Sequence, residues 1–370
     1  MSRPDVTMFA AAGAPGRRLA RARAVDPGCP FEMRAGLAGG ILLLALWALG
    51  VPLPARAGDA RGLPARLSDT GLQAGSPDGR LIEFSPQYPL WSDGATKRRW
   101  IYLPPGTFID AADPDAWVFP RGTKLWKEFS HGAAVETRYL ERGADGVWRF
   151  GSYVWDAQGR EAWLAPAAGI RGMAVPRAPD GRYDIPAEDD CRACHEGAPV
   201  PVLGFSALQL SPDRDPAAPH ADAFAAVDLR TLAARGLLRN LPAAVLARPP
   251  RIIAADARER AALGYLHGNC GHCHNHDGPL AMLELNLSQR LNAAPAAARR
   301  SILGVPSQVR ATDAPVGTPR LAPGHFSSSA IAIRMRSRDP LQQMPPLGTT
   351  QVDADALALL AAWVDGLSSN

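Results

Sequence analysis

Hydrophobic and polar positions alternate in short runs over the part of the chain that follows residue 63. Four runs rich in aromatic and β-branched residues have the two-residue periodicity of strands, and turn-forming segments such as RGADG and DAQG separate them. These runs are RRWIYL (98–103), TKLWKEF (123–129), VETRYLE (135–141) and VWRFGSYVW (147–155). Because no helical pattern lies between them, the order predicts an all-β, antiparallel, sandwich-like N-terminal domain over 58–185.

The periodicity becomes helical after the Pro- and Asp-rich passage 178–190. Segments 228–242, 255–269 and 353–367 each place their apolar residues on one helical face, and Asp353 stands at an N-cap position. We therefore expect a multidomain protein, in which the β domain precedes mainly α domains. Their expected bounds are 186–250 for a first segment and 251–370 for a second.

Seven of the nine tryptophans lie between Trp91 and Trp163. Large aromatic side chains are mostly buried, so this cluster predicts the core of the β domain. The alternative is a face for a ligand or a partner, and its best candidate is YPLWSDGATKRRW (88–100), because WSDG is turn-like rather than strand-like.

The N-terminal 57 residues have the features of an export signal. An uncharged stretch, 35–53, follows a short basic start, and its apolar core ILLLALWALGV is shorter than the ~20 residues that a membrane span needs. Ala55 and Ala57 form an A-x-A cleavage pattern. We expect a signal peptide over 1–57 with cleavage after Ala57, a periplasmic location and no remaining membrane span. Residues 1–32 fit either an extended basic region or a translation start at Met33.

The charge of the whole chain, +4, equals that of the signal segment, which carries seven arginines against three acidic residues. The remaining chain is formally neutral, so the basic isoelectric point gives no reason to expect a nucleic-acid partner. With Cys29 in the signal segment, every remaining cysteine belongs to a C-x-x-C pair.

Both pairs are followed directly by histidine, in CRACH (191–195) and CGHCH (270–274). In a C-x-x-C-H pattern the two thiols can form thioethers to the vinyl groups of haem, and the histidine ligates the iron. The pattern predicts two covalently attached c-type haems. It assigns the tethers to Cys191, Cys194, Cys270 and Cys273, and the proximal ligands to His195 and His274.

Three other interpretations of the cysteines were weighed. Four thiolates could bind a structural zinc ion, a C-x-x-C pair could be redox-active, and in an oxidising compartment each pair could form a disulfide. None of them explains why histidine follows both pairs.

An electron-transfer haem normally has a second axial ligand. For the second motif the candidate is Met344 in QQMPPLGTT (342–350), where two prolines stiffen a polar loop. The first motif has no such loop, and its sixth ligand is left open among His131, Met173, His220, a residue of a neighbouring domain and none. The remaining histidines near the second motif, His267, His272 and His276, are expected to be solvated.

Residues 255–370 resemble a class I cytochrome c domain, with a helix before CGHCH, a methionine loop and a last helix. The resemblance implies that the first and last helices cross closely, and that the carbonyl of Pro279 accepts a hydrogen bond from Nδ1 of His274. The small residues Ala261, Ala262 and Gly264 would then lie against Leu360, Trp363 and Val364. The whole chain is similar to exported bacterial dihaem c-type cytochromes that carry an N-terminal β domain.

These features predict an electron carrier between periplasmic redox proteins, with no chemistry of its own and no catalytic residue. The alternative is a dihaem peroxidase-like enzyme or another haem oxidoreductase. In that case the first haem would be five-coordinate and would bind the substrate, and the second haem would supply electrons.

Overall fold

The computed structural model describes residues 62–72, 80–222, 227–294, 296–312 and 314–368. The predicted signal peptide and its cleavage site lie outside these residues. Among the described residues, no helix combines the length and the apolar character that a membrane span requires.

An antiparallel sheet of six strands occupies the first half of the described chain. The strands of the described chain are β1 (Ile82–Glu83), β2 (Thr96–Tyr102), β3 (Ile109–Asp110), β4 (Lys124–Ser130), β5 (Ala134–Arg142), β6 (Trp148–Trp155), β7 (Ala162–Leu164), β8 (Ile170–Ala174), β9 (Arg182–Ile185) and β10 (Leu238–Arg239). The order in the sheet is β1-β2-β4-β5-β6-β7, while β8 and β9 form a separate antiparallel pair and β10 pairs with β3 in parallel. The four strands predicted from alternation are confirmed as β2, β4, β5 and β6.

Each face of this sheet has its own core, as the alternation of side chains along a strand requires. On one face the aromatic residues pack against the N-terminal segment 63–72, and Nε1 of Trp126 donates a 2.8 Å hydrogen bond to Oγ1 of Thr70. The aromatic members of this core are Trp100, Trp126, Tyr139 and Tyr153. On the other face Ile101, Leu125, Leu140 and Phe150 pack against a segment that follows CRACH and includes Phe205.

The helices are short. They are α1 (Glu188–His195), α2 (Leu229–Ala234), α3 (Ala243–Ala247), α4 (Ala257–Asn269), α5 (Ala297–Ile302), α6 (Ala330–Arg336) and α7 (Ala354–Val364). Asp353 caps α7 as predicted, because its Oδ1 accepts a hydrogen bond of 3.1 Å from the backbone N–H of Ala356. The helix predicted over 228–242 ends at Ala234, since Gly236 adopts a left-handed conformation and the chain continues into β10.

The first and last helices of the C-terminal part, α4 and α7, pack against each other. Ala262 and Leu266 share a core with Leu360, Trp363 and Val364, which agrees with the contact expected from the cytochrome c resemblance. Gly264 is different: a Cβ atom placed there would come within 2.0 Å of the ring of Tyr88, which precedes the sheet strand β2. Helix α4 therefore contacts both α7 and the segment that leads into the sheet.

The predicted fold class is wrong. Over the described residues 23% are helical and 19% are in strands, and the C-terminal part is not clearly mainly α. Turns and irregular segments separate its short helices, as expected for a chain with 35 prolines and 35 glycines. The β part is not a sandwich of two comparable sheets either, because loops, short helices and the two-stranded pair β3–β10 pack against the six strands. By contact, the chain from Ala55 to Asn370 forms one unit.

Candidate functional site

The CRACH motif lies entirely within helix α1. Cys191 and Cys194 are three residues apart, so a helix places both thiols on the same face, and His195 follows one turn after Cys191. Arg192 forms ion pairs with Glu188 at 2.8 Å and with Glu196 at 2.7 Å, which support this short helix along its exposed side. The helix packs against β6, where the ring of His195 lies 5.3 Å from the ring of Phe150.

His195 is held in a single protonation state. Its Nδ1 lies 2.6 Å from the carbonyl oxygen of Pro201, and because a carbonyl only accepts, Nδ1 carries the proton and donates it. Burial lowers the pKa of His195 to about 4, so the imidazole is neutral at pH 7. Its Nε2 therefore presents a free lone pair, the state in which a histidine ligates a metal.

The CGHCH motif follows the end of α4 as a turn. The backbone N–H of His274 donates a hydrogen bond of 2.9 Å to the carbonyl of Cys270, and the carbonyl of His274 accepts one of 2.9 Å from Leu287. Burial lowers the pKa of His274 to about 4, with further contributions from the charges of His272, Arg320 and Arg334. This imidazole is also neutral at pH 7.

The expected partner of His274 is wrong. Its Nδ1 is buried and has no hydrogen-bond partner in the part of the chain that the structure describes, so Pro279 does not accept from it. The loop after CGHCH turns away because Asn275 holds it: Oδ1 of Asn275 accepts from the backbone N–H of Asp277 at 2.9 Å and of Gly278 at 2.8 Å. The histidine–proline hydrogen bond that the resemblance implies is found at the first motif instead.

The two motifs are in direct contact. Sγ of Cys273 lies 3.8 Å from the carbonyl oxygen of Ala193, and the neighbouring thiol of Cys273 lowers the pKa of Cys194. A Cβ atom at Gly197 would come within 2.7 Å of the carbonyl oxygen of His272, so only glycine fits between the motifs there. Gly197 and His272, which are 75 positions apart in the chain, thus lie in contact, and the two motifs form one site.

Asn275 fixes this contact from the side of the second motif. Its side-chain nitrogen donates to the carbonyl of Gly197 at 2.8 Å and to those of Gly271 and His272 at 3.0 and 3.2 Å. The asparagine is buried, so these hydrogen bonds are shielded from water. Sequence reasoning missed Asn275, although it follows CGHCH directly.

The four described cysteines are free thiols. Burial raises the pKa of Cys191 to about 11 and that of Cys270 to about 12. The thiol of Cys273, and after it the imidazole of His272, lower the pKa of Cys194 to about 4 despite its burial. His272 was expected to be solvated, but the structure places it against Cys194 between the motifs.

Met344 lies on the side of the second motif. Its backbone N–H donates a hydrogen bond of 3.0 Å to the carbonyl of Arg334 at the end of α6, and the charge of Arg334 acts on His274. The side chain of Met344 is half-buried. The structure thus brings the methionine loop and the second motif to the same end of α6.

Two of the three candidates for a sixth ligand at the first motif lie beside Tyr183. The ring of His131 is 5.7 Å from that of Tyr183, and Met173 pairs with Tyr183 in the β8–β9 ladder. Nε2 of His131 is buried without a hydrogen-bond partner among the described residues. The third candidate, His220, is already engaged, because its Nε2 lies 2.9 Å from Oδ2 of Asp353.

The segment YPLWSDGATKRRW holds the second motif and the methionine loop together. The backbone N–H of Trp91 donates a 2.7 Å hydrogen bond to Oδ1 of Asn269, the residue before Cys270. Asp93 accepts hydrogen bonds from the backbone N–H groups of Thr350 at 2.8 Å and Gln351 at 3.0 Å. The turn is a structural clamp, a role that its sequence alone did not indicate.

A row of cations on the sheet was also missed. Arg99 of β2 pairs with Lys127 of β4, and Lys127 pairs with Arg138 of β5, so three positive side chains lie side by side on the face that carries α1. The sequence does contain a sign of this row, because the alternation of side chains along TKRRWIY places Arg99 on the same face as the buried Ile101.

The donor set fits two covalently attached haems. Each motif offers two thiols and one neutral histidine, and the free Nε2 of His195 and the unpartnered Nδ1 of His274 show that neither ring is fully engaged by the protein. Within the described ranges, no group of three or more His, Cys, Asp and Glu side chains is arranged to hold a metal ion. A haem iron takes only one protein ligand on each face and needs no such group.

Comparison of the chain with protein-family models, with curated proteins and with solved structures yields no match.

Proposed function

We propose that this chain is an exported dihaem c-type cytochrome that passes electrons between redox partner proteins in the periplasm. The direct contact between two C-x-x-C-H motifs, each with a neutral histidine, is the observation that supports this proposal most strongly. A covalently bound haem supplies a one-electron couple at its iron.

The residues divide into tethers and axial ligands. Cys191 and Cys194 hold the first group, and Cys270 and Cys273 hold the second. His195 and His274 are the proximal ligands, and Met344 is the distal ligand at the second motif. Pro201 fixes the tautomer of His195 and makes its Nε2 a better donor, because a hydrogen bond at the other ring nitrogen raises the basicity of a ligating imidazole.

The contact between the motifs is what an electron relay requires. The rate of electron tunnelling falls exponentially with distance, so attachment points that touch favour exchange between the two groups. The buried Asn275 keeps these attachment points together, and the clamp formed by Trp91 and Asp93 keeps the methionine loop close to the second motif.

Intact-mass measurement of the full chain, produced in a host that attaches c-type haem, tests the proposal. We expect the mass of two haems on the wild-type protein. The pair Cys191→Ser and Cys194→Ser should remove one haem, and Cys270→Ser with Cys273→Ser should remove the other, whereas Cys29→Ser should remove none. A wild-type protein without haem mass would overturn the proposal.

Spectroscopy of the same protein separates the relay from an enzyme. We expect both haems to be six-coordinate and low-spin in the oxidised and reduced states. A high-spin first haem that binds cyanide tightly would contradict a pure electron carrier.

A further inference from the structure

The cation row on the sheet is only partly neutralised by the acidic side chains of the described residues. Arg99, Lys127 and Arg138 are direct cross-strand neighbours, an arrangement that is destabilising for like charges. Arg138 alone is paired, through two hydrogen bonds of 3.0 and 3.1 Å to the carboxylate of Glu136, which is fully buried and also accepts from Tyr183.

The other two cations are unpaired. Arg99 as a residue is 6% exposed, yet within the described part of the chain its guanidinium donates no side-chain hydrogen bond and forms no ion pair. Among the described residues, the half-buried Lys127 forms no hydrogen bond or ion pair, and its Nζ lies 4.8 Å from the centre of the Phe129 ring. Desolvation, followed by the charges of Arg99 and Lys97, lowers the pKa of Lys127 well below the ordinary value. A buried charge without a partner costs several kcal/mol, so Arg99 requires an anion, and the same anion would favour the protonated form of the neighbouring Lys127.

Two further features show that the row is open to a ligand. Ser152 continues the row on β6 beside Arg138, and its Oγ is buried without a partner among the described residues. At the other end, Arg99 and Lys97 line a cavity of about 230 Å³ together with Trp91 and His220. The nearest acid there is Asp222, which is exposed and accepts a hydrogen bond from Ser85.

The row belongs to the surroundings of the first motif. Ser152 is two residues from Phe150 on the same face, and His195 packs on Phe150. The charge of Lys127 acts on His195, and those of Arg138 and Glu136 act on Cys191. The cations and the thiols that would carry the first haem thus face the same space.

We propose that Arg99 and Lys127 form a carboxylate-binding site, and that its occupants are the two propionates of the haem attached at Cys191 and Cys194. Haem carries its propionates on the edge opposite its vinyl groups, so a group tethered near Arg138 can direct its carboxylates along the row towards the cavity. This inference rests on the proposed haem attachment and adds to it which residues neutralise the cofactor.

Redox titration of the complete dihaem protein tests the site. Arg99→Gln and Lys127→Gln should each lower the reduction potential of the first haem, because the loss of a nearby positive charge favours the oxidised iron, which carries one more positive charge than the reduced iron. We expect at least a tenfold change in the reduction equilibrium constant, which is 59 mV for one electron. Arg99→Lys keeps the charge and should keep the potential.

Arg98→Gln is the matched control. It removes the same charge from the neighbouring position of β2, but Arg98 points to the opposite face and pairs with Glu83 at 3.0 Å. Haem mass and far-ultraviolet circular dichroism establish that each variant is folded and loaded. Folded Arg99→Gln and Lys127→Gln proteins whose potentials match that of Arg98→Gln would overturn the assignment.

Acetate distinguishes a propionate site from a site for a free carboxylate. Wild-type protein titrated with acetate should show no saturable change in its haem spectrum, because the row is already occupied. A saturable change that Arg99→Gln abolishes would overturn the propionate assignment in favour of a free carboxylate ligand. Absence of haem mass would instead contradict the proposed function itself, so the two failures are distinguishable.

Discussion

His195 and His274 occupy the same position in the two motifs, but their rings have different surroundings. His195 donates from Nδ1 to the carbonyl of Pro201, whereas Nδ1 of His274 is buried without a partner among the described residues. A hydrogen bond at Nδ1 makes the other nitrogen more electron-rich. At the scale of the residue, the two histidines that we propose as haem ligands therefore differ in the basicity of Nε2.

His267 gives a pH dependence that does not involve an iron ligand. Burial, followed by the charge of His272, lowers its pKa to about 4, and its Nδ1 accepts a 3.1 Å hydrogen bond from the backbone N–H of Gln289. The folded state binds a proton less readily than the unfolded state. The stability that the folded state gains from neutral His267 is therefore fully present above pH 6.5, and it is lost as the pH falls towards 4.

We expect His267→Gln to reduce the acid-induced loss of stability between pH 7 and pH 4. The loss of unfolding free energy between pH 7 and pH 4 should be smaller in His267→Gln than in wild type by at most about 3 kcal/mol. Solvent exposure of the His267 ring reduces this value further. Urea unfolding at a series of pH values measures it, with the exposed His276→Gln as the control. Equal losses in His267→Gln and wild type would contradict this role for the histidine.

The motif residues could be predicted from the sequence because their chemistry is local. Two thiols and a histidine within five positions define the pattern whatever surrounds them. Pro201 and Asn275 could not be assigned in the same way, because the first accepts through its backbone and the second contacts Gly197, 78 positions away. Their roles depend on how separate segments pack.

At the scale of the element, the turn at Asp93 connects segments that are far apart in the chain. Asp93 accepts hydrogen bonds from Thr350 and Gln351, more than 250 positions later, just beyond the methionine loop. Hydrogen bonds to a charged acceptor contribute about 1.5–3 kcal/mol each. The turn therefore opposes any opening of the loop that carries Met344.

We expect Asp93→Asn to make Met344 easier to displace. In asparagine an NH2 group replaces one carboxylate oxygen, so one of the two hydrogen bonds from the backbone N–H groups of Thr350 and Gln351 is lost. Asparagine still tolerates the positive φ of position 93. The affinity of the second haem for imidazole should rise about tenfold, which corresponds to a loss of about 1.4 kcal/mol. Imidazole titration, followed through the far-red methionine–iron band, measures the change.

Two controls define the limits of that titration. Met344→Ala should lack the far-red band altogether, and its persistence would contradict the ligand assignment. Asp180→Asn should behave as wild type, because Asp180 contacts only the side chain of Gln351. An unchanged imidazole affinity in Asp93→Asn would show that the turn does not restrain the loop.

Strands and helices differ in how well the sequence predicted them. Alternation predicted β2, β4, β5 and β6, and helical spacing predicted α4 and α7, the latter with its cap Asp353, because these patterns reflect local geometry. The role of WSDG was not predictable, since its hydrogen bonds depend on the arrival of distant loops. The cation row was hidden for a related reason, because charged residues on a strand are ordinarily solvated.

At the scale of the whole molecule, the sheet takes part in both candidate haem sites. Its one face carries α1 and the cation row, and the segment before β2 contacts α4 through Tyr88. The change of periodicity near 185 predicts a boundary there, and the resemblance of the C-terminal residues to a class I cytochrome c domain predicts one at 250. A change of periodicity marks a change of element type, but it does not report contacts across the boundary.

Gly264→Ala tests this connection. A Cβ atom at Gly264 would lie 2.0 Å from Cε1 of Tyr88, whose ring is 2% exposed and whose hydroxyl donates to Asp215 at 3.2 Å. We expect the free energy of unfolding to fall by about 1–3 kcal/mol through overpacking. In a helix whose glycine faces no neighbouring segment, the same Gly→Ala change would instead stabilise the helix by about 0.5–1 kcal/mol.

Urea unfolding gives the sign of the effect. Tyr88→Leu should relieve the clash, so the loss in the double variant should be smaller than the sum of the two single losses. A stabilised Gly264→Ala protein would show that the helix does not depend on this contact.

The contact between Cys194 and Cys273 also has a consequence for biogenesis. In the folded chain these two thiols face each other, and all four described cysteines are half-buried. An enzyme that joins vinyl groups to thiols needs each C-x-x-C-H segment exposed and separate from the other. We therefore expect maturation to act on the newly exported, still extended polypeptide, and the closure of α1 onto the turn after α4 to be a late step of assembly.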